Sequence, residues 1–419
     1  MSILIKNIKK LVQIRDSSSR KISGADMKTL PCIENAFLLI EGDEIAAFGK
    51  MSELNSKLQT LNSKPIEIDA EGKLVFPCWC DSHTHIVYAG TREQEFVDRI
   101  NGLSYEEIAK RGGGILNSAK KLQVASEDEL VESAMKRLEE IMMLGTGAVE
   151  IKSGYGLTVK DEIKMLRVIK KLKSLSPLTI KSTFLGAHAV PAEMTKEKYV
   201  DVVVNEMLPQ IAEEKLADYC DVFCERNYFT KGDTVKILSA AAQYGIKGKV
   251  HAEQLSNSGG TKAGVECGAI SVDHLEYVND DDITALKNSE TMPTILPGAQ
   301  WFLQLPNPPV RKMIDTGLPV ALASDYNPGS SPSGNINFMI SLACVQYKMT
   351  PEEAINAATI NSAYAMDLSE THGSITVGKK ANVFITREIP DYTFVPYSFA
   401  NNLIETVIIS GQLIMDNGK

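Results

Sequence analysis

Between residues 75 and 372 the chain alternates short apolar stretches with helical ones eight times, and no other feature limits its fold so sharply. The strand candidates are 74–81, 148–152, 179–185, 221–224, 249–253, 270–274, 292–296 and 319–324. Helix starts fall between them. Ser126, Glu127, Asp128 and Glu129 read as a capping box that opens a helix running to Gly145, and Thr158 opens another that stops before Pro177. Thr350, Pro351 and Glu353 supply an N-cap, a proline at the first helical position and a capping acid. Eight such pairs over roughly 300 residues predict an α/β fold, a TIM-like (β/α)8 barrel with insertions, in which functional groups project from the C-terminal ends of the strands.

The two ends of the chain break this pattern. The run from Ala36 to Phe48 alternates apolar and polar residues around a hairpin signal at Gly42 and Asp43, and a similar signal at Ser410 and Gly411 follows two apolar runs in the tail. The simplest arrangement joins residues 1–74 and 373–419 into one composite β-sandwich domain beside a barrel domain over 75–372.

The first barrel strand ends in His83 and His85. Side chains two apart on a strand share a face, with Cα atoms roughly 6.5 to 7 Å apart, so both imidazoles can reach one metal ion. The chain has only six histidines, and His251 and His274 also follow strand-like runs, while the last barrel strand leads into Asp325. A catalytic zinc-type site takes three or four nitrogen or oxygen ligands and leaves a position open. His83, His85, His251 and Asp325 supply that set. Cys78 and Cys80 are rival ligands, but alternation puts them on the opposite face, and Cys220 and Cys224 read as buried thiols.

Composition narrows the partners. A net charge of −9 without a basic block speaks against nucleic acid and for a small-molecule substrate. No apolar run approaches the ~20 residues that span a bilayer, and lysines interrupt the first apolar residues too often for a signal peptide. Seven cysteines without a disulfide framework suit a reducing compartment. A cytoplasmic enzyme without a membrane partner is expected, and a homodimer is common for such barrels.

The HxH after strand one, His251 after strand five, His274 after strand six and Asp325 after strand eight together resemble the amidohydrolase superfamily of metal-dependent barrel hydrolases. The run from Gly373 to Val383 is similar to that superfamily's closing motif, with Asn382 where an Asp is commoner. Five further motifs resemble the imidazolonepropionase family of histidine degradation. They run from Asp81 to Phe96, through Tyr105 and the glycines Gly112 to Gly114, from Glu150 to Leu157, from Phe184 to Pro191 and from Ser324 to Ser330.

The resemblance implies hydrolytic opening of the ring amide of 4-imidazolone-5-propanoate to N-formimidoyl-L-glutamate, with one divalent or trivalent metal, zinc or iron. It implies that Arg92 holds the propionate, although the sequence alone would equally pair Arg92 with Glu93 or Glu95. Tyr155 and His188 would contact the ring or carboxylate, Asn327, Gly329 and Ser330 the product end, and Tyr105 with Gly112 to Gly114 a closing loop. A metal-held water would be deprotonated by Asp325, which then protonates the departing nitrogen. His274 would hydrogen-bond the developing oxyanion or orient the water. Some members carry a glutamate where this chain has Gln254, and glutamine is no base near neutral pH. Either Gln254 only hydrogen-bonds substrate or water while Asp325 and His274 move protons, or Glu253 takes over; the first is favoured because alternation points Glu253 away. Rival readings are another cyclic-amide hydrolase or deaminase of the superfamily, an inactive metal-binding or ligand-binding pseudoenzyme and a structural metal protein.

Overall fold

The computed structural model describes residues 2–55, 64–103, 107–108, 111 and 113–416. Its strands divide between two sheets. The first sheet takes β1 (Ser2–Val12), β2 (Cys32–Glu41), β3 (Glu44–Lys50), β4 (Ile66–Asp69) and β5 (Lys73–Pro77). The second takes β6 (Trp79–Thr84), β7 (Thr146–Lys152), β8 (Thr179–Ala187), β9 (Tyr219–Cys224), β10 (Lys247–Ala252), β11 (Ser271–His274), β12 (Met292–Ile295) and β13 (Ala321–Leu322). The tail returns β14 (Val383–Glu388), β15 (Ile404–Ile409) and β16 (Gln412–Asp416) to the first sheet.

Strands β6 to β13 pair in parallel and in chain order, as the eightfold alternation predicts. The ring closes beyond β13. Asp325 N–H donates to His83 O at 3.0 Å and His85 N–H to Tyr326 O at 2.9 Å, so the last strand's exit loop is stitched to the first strand beside the HxH. The predicted caps are in place. Ser126 accepts from Glu129 N ahead of the helix Glu127–Met143, Thr158 from Asp161 N ahead of Val159–Leu175, and Thr350 from Glu353 N ahead of Pro351–Asn356.

One expectation changes. The apolar run 74–81 is not one strand but two, belonging to different sheets. Cys78 N–H donates to Asn382 O in the terminal sheet, while the next residue, Trp79, donates to Gly145 O in the barrel. The joint is a single residue, marked only by Pro77 at the end of β5, so the two strands read as one apolar run in the sequence.

The terminal sheet runs β16-β15-β14-β5-β1-β2-β3, with β4 also on β1. Ile3, Ile5, Leu38, Ile40, Val75, Val383, Ile385 and Ile408 fill one core on its inner face. Phe76, Phe384, Val407 and Ile409 point the other way and join the barrel core. Phe76, Trp79 and Phe384 form the seam, with ring centroids 5.0 to 5.9 Å apart. Asn382 bridges the same boundary: its Oδ1 accepts from Ser410 N–H at 2.7 Å and its Nδ2 donates to Gly147 O at 3.3 Å. An ionised aspartate could accept at this position but not donate. Among the described residues no helix is long and apolar enough to cross a membrane.

The closing motif is anchored by His372, whose Nε2 lies 2.9 Å from Thr179 Oγ1 and Nδ1 2.8 Å from Thr371 Oγ1. Burial, aided by Lys379 and Lys380, pushes its pKa down to about 4. The unfolded chain therefore takes up a proton near its ordinary value of about 6.5, where the folded chain does not. This contribution to stability is full above that value and is lost as pH falls through about 4. We expect urea unfolding of His372→Gln to lose pH dependence between 6.5 and 4, by on the order of 2–3 kcal/mol; an unchanged slope would contradict the assignment.

Candidate active site

Strands of a parallel barrel are buried on both faces and are usually apolar throughout. Here alternation turns a set of charged residues inward: Glu150 and Lys152 from β7, Asp221 from β9, Lys249 from β10 and Asp273 from β11, all fully buried. Lys152 Nζ bonds Glu150 Oε1 at 2.5 Å and Asp221 Oδ2 at 2.8 Å, and lies 3.9 Å from Asp273 Oδ2. Lys249 Nζ meets Glu150 Oε2 and donates to Ser82 O at 2.9 Å.

The histidines stand on this layer. His83 Nδ1 is 2.6 Å from Asp273 Oδ2, and His251 Nδ1 is 3.0 Å from Asp221 Oδ2, whose Oδ1 accepts the His251 backbone N–H at 3.1 Å. Carboxylates against both Nδ1 atoms assign the ring protons there. Burial drives the His83 pKa well below the usual value and brings His251 to about 4, so both rings are neutral. Their Nε2 atoms then present lone pairs to each other across 3.0 Å. Two acceptors so placed repel unless a cation lies between them.

The donor set meets that requirement. Ring nitrogens of His83, His85 and His251 lie within 4.8 Å of one another, and His83, His274 and Asp325 form a second such group. Asp325 Oδ1 is 3.6 Å from His83 Nε2 and 3.5 Å from His85 Nε2. Burial would raise the Asp325 pKa, but His85, His274 and His251 outweigh it and hold it below the ordinary range. The residues present therefore fit a metal with nitrogen and oxygen ligands. Backbone strain concentrates here too: Glu253, His274 and Asp325 have φ of 53°, 89° and 55°, a region non-glycine residues seldom occupy.

Above these groups opens a cavity of about 430 Å³, lined by His85, Arg92, Tyr155, His188, Gln254, His274, Asp325, Asn327, Gly329 and Ser330 among others. His251 lines it as well, so of the described ligand, catalytic and substrate-contact residues assigned from sequence only His83 does not; His83 is fully buried beneath. Tyr105 and Gly112 lie outside the described residues. Arg92 is buried and pairs with Glu95, Nε to Oε2 at 2.9 Å, and Glu95 Oε1 accepts from Gly114 N–H at 3.0 Å. A Cβ on Gly329 would come within 2.2 Å of Arg92 Nη1, so glycine there makes room for the guanidinium. The Asn327 amide is engaged inside its own loop: Oδ1 accepts from Gly329 N and Ser330 N at 2.7 and 2.8 Å, and Nδ2 donates to Asp325 O at 2.6 Å.

Tyr155 and His188 are set by a buried carboxylate. Glu162 accepts from the backbone N–H of Gly154, Gly156 and Leu157 at 2.7 to 3.0 Å, and Gly154 O meets His188 Nδ1 at 2.9 Å. The His188 ring stacks on His85, with centroids 5.4 Å apart and planes 17° apart. Glu253 is likewise committed, accepting from Gly260 N and Thr261 N, both at 2.8 Å. Its side chain is spent on the start of the next helix, whereas Gln254 lines the cavity. His274 Nδ1 stands 3.9 Å from Glu276 Oε1. Burial opposes charge on His274, yet Glu276, Asp325 and Asp273 together raise its pKa.

Sequence reasoning passed over Asp221 and Asp273 as partners of the histidines, and also Lys152, Glu162 and Arg99. Charged residues at alternate positions of otherwise apolar barrel strands were the available signal for the first three. Arg99 follows Arg92 by two helical turns; it lines the cavity and donates to Gly329 O at 2.6 Å. Cys78 and Cys80 are buried free thiols, Cys80 packed among Ala148, Ala363, Met366 and Leu368, and Cys220 and Cys224 are buried and free as expected.

The model of the amidohydrolase family matches residues 74–414. Imidazolonepropionase of Christiangramia forsetii is 60% identical over 99% of this chain and 100% of that protein. Imidazolonepropionase of Flavobacterium johnsoniae is also 60% identical, with the same coverage. Among solved structures, E. coli guanine deaminase superposes with a TM-score of 0.74 at 14% identity, covering 99% of each chain, a likeness of fold alone.

The Glu162 tether leaves no room beside it: a Cβ on Gly156 would come within 2.3 Å of Glu162 N and 2.5 Å of Asp161 C, both backbone atoms. Gly156→Ala is expected to cost about 1–3 kcal/mol in urea unfolding, and an unaltered midpoint would show that the turn is not held as described.

Proposed function

The chain belongs to the amidohydrolase family and hydrolyses a cyclic-amide C–N bond, opening the ring of 4-imidazolone-5-propanoate to N-formimidoyl-L-glutamate in histidine degradation; we propose that it does so with His83, His85, His251 and Asp325 holding one zinc or iron ion. The observation that carries this reading is the opening of the metal-binding group and the buried Arg92 into one cavity. It offers a cation for the ring carbonyl and a guanidinium for the propionate.

A metal held by His83, His85, His251 and Asp325 would supply a water acidified toward neutrality and Lewis acidity toward the ring carbonyl. Asp325 takes the proton of that water on Oδ2, the oxygen that Ser330 Oγ approaches at 3.2 Å. As the water oxygen bonds to the ring carbon and the C–N bond breaks, Asp325 returns the proton to the departing nitrogen. His274, with its raised pKa, donates to the oxyanion that develops on the carbonyl. Arg92 binds the propionate through the guanidinium edge not turned to Glu95. Tyr155 and His188 hold the ring, and Gln254 contributes a hydrogen bond rather than a base. Asn327 fixes the turn that presents Gly329 and Ser330 to the product end. The enzyme would work in the cytoplasm on this small molecule without nucleic acid or membrane.

Loss of imidazolone ultraviolet absorbance on adding the metal-loaded protein to fresh 4-imidazolone-5-propanoate tests the reading. Fast loss that a chelator abolishes and added zinc or iron restores is expected; no turnover with metal bound would overturn it. In the same assay Asp325→Asn should lower kcat by ~10²–10⁴, and near-normal turnover with metal bound would sink the proton path. Glu253→Gln should leave kcat within about threefold, since its carboxylate serves the fold, whereas a loss like that of Asp325→Asn would make Glu253 the base. Arg92→Lys should raise KM by roughly 10-fold or more with a smaller effect on kcat.

A further inference from the structure

Two carboxylates, Asp221 and Asp273, face the Nδ1 atoms of His251 and His83 from different strands, and one ammonium lies between them. We propose that Lys152 is a positioning residue, holding Asp221 and Asp273 where they fix the rings of His251 and His83 and thereby setting how tightly the barrel grips its metal. This rests on the metal reading given above.

Geometry separates Lys152 from its neighbour. Lys152 Nζ is 2.8 Å from Asp221 Oδ2 and 3.9 Å from Asp273 Oδ2, the same two oxygens that meet the histidines at 3.0 and 2.6 Å. Lys249, equally buried, directs its nitrogen at Glu150, Ser82 O and Ala365 O instead. Thr183 Oγ1 and Lys152 both reach Glu150 Oε1 at 2.5 Å, so Glu150 anchors the ammonium from below. Burial disfavours a charged Lys152, but Asp221, Glu150 and Asp273 outweigh it and keep the amine protonated. Without that charge the two aspartates would repel each other in a space closed to water. Either could then swing away, and the attached imidazole would lose the partner that fixes its tautomer and its angle. Groups that hold metal-binding histidines in this way are worth about 10- to 100-fold in metal affinity.

The test measures zinc affinity of the metal-stripped full chain by competition with a chromogenic chelator, alongside thermal unfolding and circular dichroism. Lys152→Met is expected to weaken zinc binding at least tenfold while Lys249→Met, which removes the same charge, stays within about threefold of the parent. Removing one buried charge endangers folding, so Lys152→Met is also paired with Glu150→Gln, which conserves the net buried charge; the same loss is expected there. Affinity within threefold of the parent in a folded Lys152 variant overturns the proposal, as does an equal loss in Lys249→Met, which would reduce the effect to charge alone. Failure of both Lys152 variants to fold even with zinc present also overturns it, since the role would then be to hold the barrel. Absence of zinc binding in the parent chain would instead overturn the metal reading on which the proposal rests.

Discussion

Two imidazole nitrogens, His83 Nε2 and His251 Nε2, face each other at 3.0 Å inside the barrel, and with both rings neutral and protonated on Nδ1 this contact sets lone pair against lone pair. The Nδ1 atom of each ring faces a carboxylate, at 2.6 Å for His83 and 3.0 Å for His251, and burial keeps both rings neutral. The contact makes sense only around a cation, and much of the barrel is organised to support it. The carboxylates that fix the histidines need positive charge nearby, which Lys152 provides, while Lys249 pairs with Glu150 in the same layer. That places a layer of ionic contacts where a parallel barrel would ordinarily pack aliphatic side chains. Buried ion pairs are a poor source of stability. Here they are explained by the site they hold in place.

The loops above the strands use a second recurring device. Glu162, Glu225 and Glu253 are buried carboxylates that accept backbone N–H groups from the loops carrying Tyr155, from Leu255 beside Gln254, and from Gly260 and Thr261 at the next helix. A carboxylate accepting several backbone donors fixes a loop without occupying the cavity. The terminal sheet closes the other side of the barrel, with Phe76, Trp79 and Phe384 in the seam and Asn382 bonded to both halves. Arg92 is buried rather than free on the surface because Glu95 meets its guanidinium and Gly329 leaves room for it.

The barrel was legible because its signals are local. Ser126, Thr158 and Thr350 announce helices by hydrogen bonds that span three residues, and each parallel strand must be apolar enough to bury both faces. His83 and His85 were legible for the same reason, since two residues of strand fix their common face. His251, His274 and Asp325 could be gathered only by supposing the barrel first. The joint between β5 and β6 was missed, because it occupies the single residue Cys78; Pro77, the last residue of β5, was the one local signal for it. Nor were Asp221 and Asp273 as histidine partners, because strand register across the barrel decides which carboxylate meets which ring. The split between Glu253 and Gln254 was half visible: alternation separates their faces, but only the positive φ of Glu253 and its contacts with Gly260 and Thr261 show where the acid is used.

In the proposed site the nitrogens of His83, His85 and His251 with one oxygen of Asp325 converge on a single ion. X-ray diffraction from crystals of the zinc- or iron-loaded chain, with anomalous data collected on both sides of the metal's absorption edge, tests it directly. One anomalous peak is expected beside the Nε2 atoms of His83 and His251 and within bonding distance of Asp325, with Asp221 and Asp273 still against the two Nδ1 atoms. A peak elsewhere in the fold, or no peak here while His83 and His251 keep their present positions, would contradict it.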